Sequence, residues 1–249
     1  MNPVESLRHG FDGAVVLVVG GRGDIGSAVA RQAAELGARV VVASRGATKS
    51  GVAPVPGGTA ELPVDLTDSD SVKRMCEQLS AWFGRIDVAV NAAGATKSVP
   101  AGNLGLLSDD VVHEVFESNA IGPVRLIRGL LPLLRDGSDP VVVQVSSVAA
   151  RTGQGSNTAY SGSKAALDAM VIAWAKSLAP IRFVNVAPSA LENDFVPGRG
   201  PDFYERTVAA TPMGRLATPE EVAAAVLVAA RCLTMTTGVV IAVDGGRHL

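Results

Sequence analysis

Val15-Val16-Leu17-Val18-Val19-Gly20-Gly21-Arg22-Gly23-Asp24-Ile25-Gly26 is the stretch on which the fold turns. Five apolar residues, four of them β-branched, read as a strand buried on both faces. A glycine-rich turn follows. Ile25, Val29, Ala33 and Leu36 then repeat at helical spacing until Gly37 closes the segment. Glycines between a strand and a helix let the backbone turn tightly and approach a pyrophosphate held at the helix N-terminus. Any tight turn could use the same residues, so the flanking strand and helix carry the reading.

Outward from that turn the pattern repeats. Residues 39–43, 87–91, 141–145, 182–186 and 239–243 read as short valine-rich strands. Between them lie helical segments: Val72, Met75, Leu79 and Phe83 share one face after capping residues at 68–71, and Ser108 caps a segment carrying Val111, Val112, Val115 and Phe116. Further helices are expected over about 160–178 and from Pro219. Alternating strands and helices predict an α/β fold, one doubly wound Rossmann-type domain over 1–249 with a parallel sheet of about seven strands covered on both faces. Residues 189–211, with Pro197, Gly198, Gly200 and Pro201, are expected to form an irregular, flexible excursion on the substrate side.

The 249 residues carry a net charge of −2 and are 47% hydrophobic, enough for a sizeable core. That balance gives no electrostatic reason to expect nucleic acid or an anionic membrane. Residues 1–13 are polar, without a stretch resembling a signal peptide, and no run approaches the roughly 20 apolar residues of a membrane span, so a cytoplasmic protein is expected. Cys76 and Cys232 have no disulfide or nucleophile signature, and His9, His113 and His248 have no ligand spacing, so no metal is expected.

The second strand ends Val42-Ala43-Ser44-Arg45. An NAD site would place an acidic residue there for the ribose hydroxyls. Ser44 and Arg45 instead offer a hydroxyl and a guanidinium, which suits the 2′-phosphate of NADP(H), with Arg22 approaching from the glycine turn. Later in the chain Tyr160 stands four residues before Lys164, one helical turn away on the same face. An ammonium beside a phenol is expected to lower the phenol's pKa and make it a proton donor or acceptor near neutral pH. A packing tyrosine beside a surface lysine would show the same spacing.

Taken with their neighbours, these residues resemble the short-chain dehydrogenase/reductase family, in its small single-domain branch similar to 3-oxoacyl-carrier-protein reductases. Tyr160-Ser161-Gly162-Ser163-Lys164 is similar to the family's Tyr-x-x-x-Lys motif, Ser147 to its serine at a strand end, and Asn119 to its helix asparagine. Val90-Asn91-Ala92-Ala93-Gly94 resembles its Asn-Asn-Ala-Gly strand end with the second Asn replaced, and Asp65-Leu66 its adenine-contacting pair. Pro188, Thr237-Gly238 and Asp244-Gly245-Gly246 match later landmarks. Three departures stand out. Gly20, Gly23 and Gly26 are spaced as in extended members, with Asp24 where a second glycine belongs; Ser189 replaces a glycine; and Asn193 replaces a phosphate-binding threonine. Asp24 would sit unfavourably near a pyrophosphate unless it turned away to cap the helix.

The resemblance implies a ketoreductase-type oxidoreductase moving a hydride between NADP(H) and a ketone or secondary alcohol. It implies a catalytic set of Asn119, Ser147, Tyr160 and Lys164: Tyr160 exchanges the proton, Lys164 tunes it and holds the ribose, Ser147 binds the substrate oxygen, and Asn119 anchors a water. It implies a cofactor site of Gly20, Arg22, Gly23, Asp24, Ile25, Gly26, Ser44, Arg45, Asp65, Leu66, Asn91, Ala92, Gly94, Tyr160, Lys164, Pro188, Ser189 and Leu191. A homotetramer (or dimer) is implied through 108–134, 160–178 and the last strand, with Met170, Val171 and Trp174 adding apolar surface. The substrate is expected against 96–104, 149–158 and 189–211, with Arg151, Gln154 and Asn157 as polar candidates. A same-fold epimerase and a non-catalytic NADP(H)-binding scaffold stand as alternatives.

Overall fold

The computed structural model describes residues 7, 9–48 and 50–249. Of the N-terminal reading, residues 1–6 and 8 lie outside the described residues. The strands are β1 (Val15–Val19), β2 (Arg39–Ser44), β3 (Thr59–Pro63), β4 (Val88–Asn91), β5 (Val141–Val145), β6 (Arg182–Pro188) and β7 (Val239–Val243). They form one parallel sheet in the order β3-β2-β1-β4-β5-β6-β7. The helices are α1 (Asp24–Glu35), α2 (Ser69–Phe83), α3 (Asp109–Phe116), α4 (Gly122–Arg135), α5 (Ala149–Thr152), α6 (Thr158–Ser177), α7 (Pro201–Ala209) and α8 (Pro219–Arg231). A 3-10 turn spans Ala101–Leu106, and a π turn at Glu117–Ile121 joins α3 to α4.

Alternation of side chains along each strand divides the core in two. Val16, Val18, Val40, Val42, Val141, Val143, Val184 and Val186 face α1 and α8, where Val29, Ala33, Val222 and Val226 are buried. Val15, Leu17, Val41, Ala89, Val142 and Phe183 face Met75, Leu79, Leu126, Leu130 and Val171 on the other side. Central strands buried on both faces are mostly apolar, which is why they were readable, and the buried amides Asn91, Gln144 and Asn185 are exceptions. β3 is different: it lies at the sheet edge with only Ala60 and Leu62 buried.

The helix signals act as their sequence implies. Asp68 accepts from Asp70 N (2.8 Å), Ser108 from Val111 N (3.4 Å), and Thr218 and Glu221 form a capping box on α8. The 189–211 excursion is not wholly irregular: Pro201–Ala209 is helical, with Pro201 at its first turn and Gly200 preceding it. The proposed apolar surface on α6 also differs. Val171 is buried and Trp174 packs at 5.8 Å from Phe183, leaving Ile172 exposed. No helix among the described residues is long and apolar enough to cross a membrane.

Between β1 and β4 the order in which strands are added reverses, all of them staying parallel. β2 and β3 build out one way and β4 to β7 the other, leaving a crevice beyond the carboxyl ends of β1 and β4. Every sequence-predicted site residue except Asn119, Tyr160 and Lys164 lies at or just past a strand's carboxyl end or in the glycine turn.

Candidate active site

A cavity of about 820 Å³ opens in that crevice. Its wall brings together Gly23, Asp24, Ile25, Gly26, Ala92, Gly94, Ser147, Tyr160, Lys164, Pro188, Ser189 and Leu191. Residues 20, 22, 44, 45, 65, 66, 91 and 119 do not line it.

The turn after β1 is held by sterics. Gly20 has φ +75°, and a Cβ there would stand 2.6 Å from Ala93 N. A Cβ on Gly26 would stand 2.3 Å from the Gly20 carbonyl oxygen, and one on Gly21 would stand 2.9 Å from Val18 O. Gly23 is unconstrained by comparison, its nearest neighbour being Gly20 O at 3.5 Å. The necessary glycines are therefore 20, 21 and 26, and Gly21 was not among the expected site residues. The departure in spacing falls at the one glycine that packing does not require.

Asp24 does not cap α1. Gly23 is the cap residue, no side chain accepts from the free N–H groups, and the exposed Asp24 carboxylate stays at the cavity lip. The first-turn donors of α1 therefore remain available to an anion.

At the end of β2, Ser44 Oγ is buried without a hydrogen-bond partner. Arg45 beside it is exposed, and Arg22 Nη1 donates to the Gly46 carbonyl, which brings its side chain against the same turn. Asp65 accepts from Thr67 N (2.9 Å) and Thr67 Oγ1 (2.8 Å), and these bonds hold its carboxyl below the usual range. Leu66 is buried and would meet a Cβ on Gly122 at 2.9 Å.

Tyr160 and Lys164 sit on α6, whose N-cap Asn157 accepts from Tyr160 N (2.7 Å). Asn157 also donates to Lys97 O (2.7 Å) and is 2% exposed, so it is a structural anchor and not the substrate contact proposed for it. Of the other polar candidates, Gln154 lines the cavity and Arg151 does not. Ser147, at the end of β5, pairs with the Tyr160 hydroxyl.

The sequence predicts that Lys164 depresses the phenol. In this structure burial instead raises the Tyr160 pKa, opposed by the Ser147 hydrogen bond and the charge of Arg199. The Lys164 ammonium is 5.9 Å from the ring centroid and donates to Val145 O at 2.8 Å. Burial lowers its pKa to about 8, with the charge of Asp168 acting against that fall.

Asn119 lies in the π turn, 1% exposed. A π turn widens the helix locally and re-aims its side chains. Asn119 accepts from Ala95 N (2.9 Å), and its amide donates to Ala95 O (2.9 Å) and Ser163 Oγ (3.1 Å). A Cβ on Gly94 would stand 3.2 Å from Asn119 Oδ1 and 3.7 Å from Lys164 Nζ, so both side chains converge on that glycine.

A buried polar row behind these residues was missed. Asn91 Nδ2 donates to Gln144 Oε1 across β4 and β5 (2.8 Å), and Gln144 is register-paired with Asn185 on β6. Asn185 Nδ2 and Ser146 Oγ both donate to Asp168 Oδ1 at 2.6 Å. Asp168 is four residues after Lys164, so helical spacing was the available signal. The amides on central strands break an otherwise apolar pattern, which was a second one.

The chain matches the family described as enoyl-(acyl carrier protein) reductase over residues 21–248. It is 34% identical over 243 residues to a protein of Streptomyces violaceoruber assigned to the granaticin polyketide synthase as ketoacyl reductase 2, covering 94% of this chain and 96% of that one. It is 32% identical to the 3-oxoacyl-[acyl-carrier-protein] reductase FabG of Thermotoga maritima, covering 95% and 98%. Among solved structures, the Pseudomonas aeruginosa RhlG/NADP active-site complex superposes with a TM-score of 0.83 at 30% identity, covering 96% of this chain and 97% of that one.

Proposed function

The chain belongs to the short-chain dehydrogenase/reductase family, and from that premise we propose that it is an NADP(H)-dependent reductase of ketoacyl- or polyketide-type carbonyls. The observation that carries this reading is the convergence of Ser147, Tyr160 and Lys164 on the wall of the cavity that also holds the Gly23–Gly26 turn. The NADP complex of a relative 30% identical supports the same cofactor here.

The residues fit that cofactor. Gly20, Gly21 and Gly26 leave the turn backbone open to close approach, and the uncapped start of α1 would receive the pyrophosphate, with the Asp24 carboxylate exposed at the lip. Arg45 and Arg22 would flank a ribose phosphate at the end of β2, where Ser44 Oγ, buried and unpartnered, would be free to donate to one of its oxygens. Asp65 and Leu66 would border the adenine, while Asn91 holds the β4 end through Gln144 and accepts from Ala93 N (3.1 Å), fixing the backbone between Ala92 and Gly94. Pro188, Ser189 and Leu191 close the nicotinamide side. NADPH supplies the hydride.

Within this reading the Ser147 hydroxyl donates to the substrate oxygen as charge builds on it. Tyr160 gives that oxygen its proton in reduction and takes it back in oxidation. Lys164, which donates to the Val145 carbonyl, would hold the ribose hydroxyls, and Asn119 fixes the 94–95 backbone beside it. We place the protein in the cytoplasm as a homotetramer or dimer.

The test is NADPH consumption against β-ketoacyl thioesters, cyclic ketones, polyketide-like ketones and a crotonyl thioester. Turnover of ketones is expected, with NADPH favoured over NADH. Replacing Ser44 by Asp and Arg45 by Gln should reverse that preference. Tyr160→Phe should lose ~100- to 10,000-fold in turnover with NADPH affinity kept. Reduction of the enoyl substrate alone would move the chemistry to the carbon–carbon double bond. NADPH binding with no turnover would favour the scaffold alternative.

A further inference from the structure

Arg199 occupies an unusual place in the cavity. It is half-buried in the wall, with its guanidinium 4.1 Å from the centroid of the Phe203 ring. Stacking of this kind fixes the plane of the fork and leaves its edge donors free. The groups whose charge acts on it are Tyr204, Tyr160 and Arg247, and no carboxylate among the described residues lies within ion-pair distance. Arg247 lines the same wall and spends one donor on Thr207 O (3.2 Å).

A partly desolvated cation without a counter-ion is costly, and the cost is recovered when an anion arrives. A second cation facing it makes the empty site less favourable still. Both arginines lie on the side of the cavity away from the glycine turn, on segments that follow β6 and β7. Phe195, 6.2 Å from the Tyr160 ring, and Phe203 supply the apolar surface between them and the phenol.

Resting on the carbonyl-reductase reading, we infer that the substrate carries an anionic oxyacid group, a carboxylate or a phosphate, that pairs with Arg199 while its carbonyl faces Tyr160. The planar fork takes two oxygens at once, and Arg247 adds charge. The stacked ring of Phe203 positions the guanidinium, and Phe195 covers the carbon chain between the two polar ends. The anion fixes the orientation of the substrate, and with it the face of the carbonyl presented to the hydride.

The experiment compares paired substrates in one enzyme. Acetoacetate and levulinate are set against their methyl esters, and an acetoacetyl 4′-phosphopantetheine thioester against the pantetheine thioester without phosphate. The wild type should prefer the charged member of one pair by about 10- to 100-fold in kcat/KM, as a charge-assisted hydrogen bond provides. Which pair shows it names the source of the anion. Arg199→Gln should bring that ratio close to one, and Arg199→Lys should restore part of it. Because each ratio is taken within one enzyme, a change in the Tyr160 phenol affects both members alike. Equal use of charged and uncharged members in both pairs overturns the inference and leaves the reductase reading intact. Should no ketone be reduced, calorimetry on NADPH-loaded protein decides: acetoacetate or the phosphopantetheine thioester binding more tightly than its uncharged partner, with that difference lost in Arg199→Gln, supports it. No difference, or no binding of either, sinks it.

Discussion

Asp168 is the residue through which the sheet reaches Lys164. Its carboxylate, held by Ser146 and Asn185, works against the burial that lowers the Lys164 pKa. Replacing Asp168 by Asn keeps the size and removes the charge. The Lys164 pKa should then fall below its present value of about 8, so the protonated lysine is lost as pH rises through a lower value. The alkaline limb of a kcat/KM profile should shift to lower pH, with the acid limb unmoved. An unshifted profile with only a uniform loss of rate would reduce Asp168 to a packing role. Tyr160, Lys164, Ser147 and Asn119 were all legible in the sequence because each stands in a short motif of fixed order. Asp168 and Arg199 were not, since a single charged residue in a helix or loop reads as solvated until its surroundings are known.

Among the elements, the turn between β1 and α1 makes the sharpest demand on sequence. Gly26→Ala puts a methyl group 2.3 Å from the Gly20 oxygen, a contact relieved only by moving backbone. We expect ~1–3 kcal/mol of lost stability in urea unfolding, as for overpacking elsewhere, and a parallel loss of NADPH affinity in titration. Gly23→Ala meets its neighbour at 3.5 Å and should fall within ~0.5 kcal/mol of wild type. If both alanines behaved alike, the steric account of this turn would be wrong. Buried strands declared themselves through short valine-rich runs. β3 did not, because Thr59 and Pro63 are exposed and only two side chains face the core. Nor did the π turn around Asn119, which depends on how α3 and α4 are joined and leaves no mark in hydrophobic period.

For the molecule as a whole, the two faces of the sheet are covered but the β7 edge is not. β7 reads Val-Val-Ile-Ala-Val with no residue buried, Val239 being 37% exposed. Ile172 on α6 and Val124 on α4 add exposed apolar surface. An apolar strand at an open edge invites pairing or cover. We expect light scattering at micromolar concentration to give a mass of two or four chains, and Val239→Lys with Ile172→Glu to shift it toward the 25.4 kDa monomer. A wild-type monomer would remove this reading. The general architecture was legible early, since α/β alternation survives in composition; which residues of α6 are spare was not, because Val171 and Trp174 pack inward and leave Ile172 exposed.

One consequence of the cavity's construction bears on how such an enzyme could be altered. Gly26, Ser147, Tyr160 and Lys164 are fixed by the sheet and its helices, whereas Arg199 and Phe203 sit on an exposed arc beyond the buried Val196 and before the buried Thr207. Leu191 and Val196 at one end, with Thr207 and Thr211 at the other, root that arc in the body. Chemistry and selectivity thus occupy physically separable parts. Residues 197–206 can be exchanged as a cassette between those four roots, trading one clientele of ketones for another, with the charge that Arg199 places on Tyr160 as the one link to the hydride-transfer apparatus.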